Sequence, residues 1–158
     1  MTSKARFAKR QHHILCIDDY APGLEVRTAL LEKWGYSVST AGSAEDGLAA
    51  LRQRDVDLII LDYCLPGMNG GELLKIVKAD WPSVRVVLLS GYPRISHKVR
   101  TSADAFLRKG DPNEYLRSVL ASLLETGTRR MVTRSMEQTR KLVARASTAL
   151  RRNQKSAG

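Results

Sequence analysis

Five short apolar runs, each followed by a stretch of helical periodicity, limit what this chain can fold into. The runs are HILCID (His13–Asp18), YSVSTA (Tyr36–Ala41), DLIILD (Asp57–Asp62), VRVVLLS (Val84–Ser90) and DAFLRK (Asp104–Lys109). Each has the length of a strand rather than of a helix. Between them the spacing of apolar residues changes to three and four. Leu24, Thr28, Leu31 and Trp34 line one face of a helix over Pro22–Trp34, which Gly35 stops. Ser43 caps a second helix that runs to about Arg54, with Asp46 at its third position. A third helix is expected from about Gly70 to Asp80, and a short fourth from Ile95 to Thr101. A fifth, with Asp111 as its cap, Pro112 at its first position and Glu114 at its third, runs to about Glu125. Strands alternating with helices in this way predict an α/β protein whose parallel sheet is covered on both faces. Five units in about 115 residues match a flavodoxin-like, doubly wound, five-stranded sheet of order 2-1-3-4-5, with its site at the carboxyl ends of the strands.

Charge divides the chain into three parts. The net charge of +10 is concentrated at the ends: +4 in residues 1–10, −2 in residues 11–126 and +8 in residues 127–158. This points to a basic N-terminal tail (1–11), a near-neutral domain (12–126) and a basic C-terminal segment (127–158), so any case for nucleic acid rests on the ends. Hydrophobic content of 43% and charged content of 27% suit a globular domain. No apolar run approaches the ~20 residues that cross a membrane, so a cytoplasmic protein without membrane contact is expected. Cys16 and Cys64 both lie in apolar runs and read as reduced, buried thiols rather than a disulfide. His12 and His13 read as exposed residues ahead of the first strand.

The fold class supplies a test of the polar residues. The first strand ends in Asp18 and Asp19, the third in Asp62, the fourth in Ser90 and the fifth in Lys109. The expected strand order brings all five to one crevice. Three carboxylates so close repel one another unless a cation joins them. Hard oxygen ligands without a nearby imidazole favour Mg²⁺ (or Mn²⁺).

With these residues in place, the chain resembles the receiver domains of two-component response regulators. The resemblance rests on Asp18-Asp19, on LIILD ending in Asp62 and on the following LPGMNGGELL. It continues through LLSGY with Ser90 and AFLRK with Phe106 and Lys109, and it covers about residues 12–126. It implies that Asp62 accepts a phosphoryl group from a sensor histidine kinase. It implies a metal held by Asp18 or Asp19, Asp62 and the backbone carbonyl of Cys64. Lys109 would then pair with the phosphoryl oxygens, Ser90 would bind another of them, and Phe106 would be the aromatic residue that turns inward as Ser90 moves. The expected output is a phosphorylation-dependent change in the face formed by the fourth helix, fifth strand and fifth helix, read by a downstream protein. Such a chain is a switch, not an enzyme with a separate substrate: it would catalyse only its own phosphorylation and dephosphorylation. A phosphorelay intermediate is the related alternative. The chain departs from the family in carrying Gly110 after Lys109, where proline is usual, and in a short Gly91–Ala103 segment.

Residues 127–158 are too few for a usual DNA-binding module. They read as one basic helix over about Arg130–Arg152, with Val132, Met136, Thr139, Val143, Ala146 and Leu150 in a thin apolar stripe. A solubilising tail, a homodimeric coiled coil or docking on the domain, and a nucleic-acid-binding effector all stay open.

Overall fold

The computed structural model describes residues 10–125 apart from Pro93; residues 1–9 of the basic N-terminal tail and the whole basic C-terminal segment lie outside the described residues. The chain divides into two units, Met1–Leu124 and Glu125–Gly158, and the first holds the fold that follows. Strands β1 (His13–Ile17), β2 (Ser37–Ala41), β3 (Leu58–Asp62), β4 (Arg85–Ser90) and β5 (Ala105–Arg108) alternate with helices α1 (Ala21–Lys33), α2 (Ala44–Gln53), α3 (Gly70–Asp80) and α4 (His97–Ser102). Residues 113–125 form a further helix, α5. The sheet is parallel throughout, in the order β2-β1-β3-β4-β5. The expected doubly wound architecture is therefore present, with strand ends shifted by a residue.

Strand alternation explains how continuous apolar runs serve two layers. Leu15, Ile17, Ile59, Leu61, Val86 and Leu88 point to one side and pack with α2 and α3 through Leu48, Leu51, Leu73, Leu74 and Val77. Ile14, Cys16, Leu58, Ile60, Val87, Leu89 and Leu107 point to the other. There they meet Leu24 and Leu31 of α1 and Leu120 and Leu124 of α5. A strand buried on both faces has no solvent side to carry polar residues, so the polar groups collect at its ends.

The helix starts follow local chemistry. Ser43 accepts from the Asp46 amide, and Asn69 accepts from the Gly71 and Glu72 amides while the Glu72 carboxylate accepts from the Asn69 amide. The expected cap of the fifth helix is corrected. Asp111 turns back to accept from the Arg108 amide at 2.8 Å, and the Pro112 carbonyl accepts the first helical bond, from Tyr115. The Asp111 amide donates to the Arg108 carbonyl, closing a tight turn whose third residue is Gly110 with φ +106°. Only glycine adopts that angle without strain, so the departure from proline serves a turn of this kind.

Two further expectations change, and one holds. Cys64 is exposed, because the chain turns outward after Asp62, whereas Cys16 is buried in β1. The histidines are not free surface groups: His13 Nδ1 and Nε2 lie 2.9 Å from the hydroxyls of Ser37 and Ser39 on neighbouring β2. His12 lies 3.6 Å from Asp57. The fourth helix is indeed short, six residues with none buried, and is capped by Ser96.

Candidate functional site

The two-sided alternation also aims the acids. Asp62 continues the row of Leu58 and Ile60, and Asp18 the row of Ile14 and Cys16, so both carboxylates face the α1/α5 side of the sheet. Lys109 continues the row of Leu107 just past β5 and arrives on the same side. Asp18 is 1% exposed and Asp62 3%, so these charges have left water and need partners.

They find them in Lys109, whose Nζ lies 2.8 Å from Asp62 Oδ2 and 3.1 Å from Asp18 Oδ2. Burial alone would lower the Lys109 pKa, but its hydrogen bonds to Asp62 and Asp18 outweigh that and raise it. The Cys64 amide donates to Asp62 Oδ1 at 3.3 Å, and the Tyr20 amide to Asp18 Oδ1 at 3.0 Å. Asp19 stands exposed beside them. Carboxylate oxygens of Asp18, Asp19 and Asp62 lie within 4.8 Å of one another. An all-oxygen acidic set of this spacing, open to water through Asp19, fits a hard divalent cation.

Ser90 and Phe106 lie on the other side. Ser90 continues the row of Val86 and Leu88, and Phe106 packs against the same core cluster. In the β4–β5 register Leu88 faces Phe106 and Ser90 faces Arg108, which places Ser90 and Phe106 on one face of neighbouring strands. Ser90 is buried and its hydroxyl accepts from the Tyr92 amide at 2.9 Å. The Arg100 guanidinium of α4 stacks 4.7 Å from the Phe106 ring centroid. The thiol of Cys64, though exposed, is pushed up by partial desolvation against the site and by the Asp62 charge, which argues against a reactive thiolate. Burial pushes the Cys16 thiol up to about 12.

The sequence reading overlooked two residues here. Arg27 of α1 reaches into the crevice, its Nη1 3.3 Å from Asp18 Oδ2; nothing local in α1 signals that partner. Gly70, at the first turn of α3, allows a close approach. A Cβ there would lie 2.3 Å from the Asp62 carbonyl oxygen and 2.7 Å from Tyr63 Cα. The start of α3 thus rests directly on the backbone that carries Asp62. The Asn-Gly-Gly run was the available signal for it.

The sequence model of the response regulator receiver domain matches residues 14–121. The nitrogen assimilation regulatory protein NtrX of Azorhizobium caulinodans is 35% identical over 132 residues, which cover 80% of this chain and 29% of that protein. The two-component response regulator ORR3 of Oryza sativa subsp. indica is 38% identical over 103 residues, covering 61% of this chain and 79% of that protein. The crystal structure of response regulator protein TrrA from Thermotoga maritima, in complex with Mg(2+)-BeF, matches with a TM-score of 0.68 at 27% identity. It covers 72% of this chain and all of its own. The chain spans less than a third of the NtrX relative.

Proposed function

The chain belongs to the response regulator receiver domain family, and from that premise we propose that Asp62 is its phosphoacceptor, charged from a phosphohistidine on a sensor histidine kinase. The observation that carries this reading is Lys109, which holds two buried carboxylates, Asp62 and Asp18, at 2.8 and 3.1 Å from one ammonium. A carboxylate oxygen of Asp62 attacks the phosphorus, and the phosphorus–nitrogen bond breaks. The imidazole leaves with the bonding electron pair, neutral when its other nitrogen carries the proton. Lys109 then follows the charge from the carboxylate to the new phosphoryl oxygens, where its raised pKa keeps it protonated.

Asp18 or Asp19, Asp62 and the Cys64 carbonyl would hold Mg²⁺ (or Mn²⁺), and the Mg(2+)-BeF complex of TrrA supports a divalent ion as the cofactor of this chain. A bound divalent cation supplies neutralisation of charge on the transferring group. The Ser90 hydroxyl, free to donate while it accepts from Tyr92, turns toward a phosphoryl oxygen. Its shift is passed to Phe106 on the same sheet face, and from there to α4. The output is a partner protein that reads the altered face, so the chain acts as a switch and not on a separate substrate.

The test is labelling of the full chain by a small acyl phosphate with Mg²⁺. Label should appear on the parent, vanish with chelator and be absent from Asp62→Ala. A variant labelled as well as the parent would overturn the assignment.

A further inference from the structure

Arg27 sits at the crevice but has no part in the transfer just described. Its side chain is 14% exposed, and Nη1 lies 3.3 Å from Asp18 Oδ2, the oxygen that Lys109 also contacts at 3.1 Å. The other Asp18 oxygen accepts from the Tyr20 amide at 3.0 Å. Asp18 is therefore engaged at both oxygens, whereas Asp19 is exposed and open. The charge count gives the consequence. Asp18, Asp19 and Asp62 carry three negative charges; Lys109 alone would leave two, and Arg27 leaves one. A divalent ion is attracted to that remainder and repelled by the guanidinium, in a site too buried for water to screen fully.

We propose that Arg27 is a built-in counter-cation that occupies Asp18 and sets the affinity of the acidic site for divalent metal. Arg27 competes with the ion for Asp18, and it stabilises the paired acids when no ion is bound. It also lines a cleft of about 680 Å³ with Val26, Leu30, Lys33, Leu107 and Arg108, which gives the guanidinium space to swing aside as the metal enters. The inference rests on the metal site of the proposed function, and it concerns binding rather than phosphoryl transfer.

The test is calorimetric titration of the full chain with Mg²⁺ alone, for the parent, Arg27→Gln and Lys33→Gln. Lys33 removes the same charge from the same helix, nearly two turns away. Arg27→Gln should bind Mg²⁺ about tenfold more tightly, and Lys33→Gln within about twofold of the parent. Unchanged or weaker binding by Arg27→Gln, equal tightening by Lys33→Gln, or no binding by either parent or Arg27→Gln would overturn the proposal. If Arg27→Gln does not fold, Arg27→Lys, which keeps the charge but shortens the reach, should tighten binding by a smaller factor. An unchanged constant for it overturns the proposal equally. Tightened binding without any acyl-phosphate labelling would sink the phosphoacceptor reading and leave this one standing.

Discussion

Asp104 shows what a half-buried acid does when it has no chemistry to perform. It precedes β5 at the end of the sheet opposite the crevice and gathers three donors: Lys78 of α3, Arg85 of β4 at 3.0 Å and the Val86 amide at 2.8 Å. Burial works to raise its pKa, but the bonds from Lys78, Val86 and Arg85 outweigh burial and lower it. A carboxyl whose folded pKa is depressed stabilises the fold above its unfolded value and loses that contribution as pH falls through the folded one. Asp104→Asn should cost about 1–3 kcal/mol at neutral pH. It should also flatten the loss of stability below about pH 4, the ordinary carboxylate range. Urea unfolding at pH 7 and pH 3 measures both, and an acid limb identical to the parent's would refute the clamp. Among the described residues, Asp62 has Lys109 as its one charged partner, and an amide at its other oxygen. In the proposed function Asp62 is the acid that exchanges partners, whereas Asp104 keeps its three donors.

At the scale of elements, β4, β5 and α4 carry the proposed path from the site to the surface. Ser90 ends β4 in a buried position, Phe106 lies on the same face of β5, and Arg100 of α4 covers the Phe106 ring. The helix has few anchors, being six residues long with none buried, so small shifts beneath it move it easily. Ser90→Ala should still be labelled at Asp62, since the nucleophile and Lys109 are untouched. Labelling should change amide hydrogen exchange in residues 97–108 of the parent and leave it unchanged in Ser90→Ala. A Ser90→Ala response equal to the parent's would show that the signal takes another route. The turn at Lys109–Gly110 belongs to the same path. The Lys109 amide bonds to the Ser90 carbonyl at 3.0 Å, which ties the lysine's backbone to β4 directly.

For the whole molecule, the acidic site and the fold are one equilibrium. Three acids crowded at the strand ends oppose folding, and a cation that binds only the folded arrangement relieves them. Mg²⁺ at ten times its dissociation constant should stabilise the chain by about 1.4 kcal/mol, or roughly 4–6 °C in Tm. Chelator should reverse the shift, and Asp62→Ala should shrink it. A Tm indifferent to Mg²⁺ at any concentration would count against the metal site. Among the described residues, no helix is long and apolar enough to cross a membrane.

The alternation of strand and helix, the sheet order and the gathering of Asp18, Asp19, Asp62 and Lys109 were legible in the sequence, because all follow from local period and strand ends. Ser90, expected in the same crevice, instead continues the row on the other side of the sheet. The opposed faces of Asp62 and Ser90 were latent in the same two-residue rhythm. What tertiary structure alone decided are contacts between elements. An arginine on α1 meets Asp18 only because α1 packs on the sheet with that rotation. Gly70 matters only because α3 begins against the Asp62 carbonyl. Cys64 stood in an apolar run and looked buried, yet the turn after Asp62 carries it to solvent. Asp111 stood where a helix cap belongs, yet the turn at Gly110 claimed its carboxylate. Periodicity records which face a residue occupies within its own element. Which side chain lies opposite is set by how the elements pack, and no single stretch of the chain encodes that.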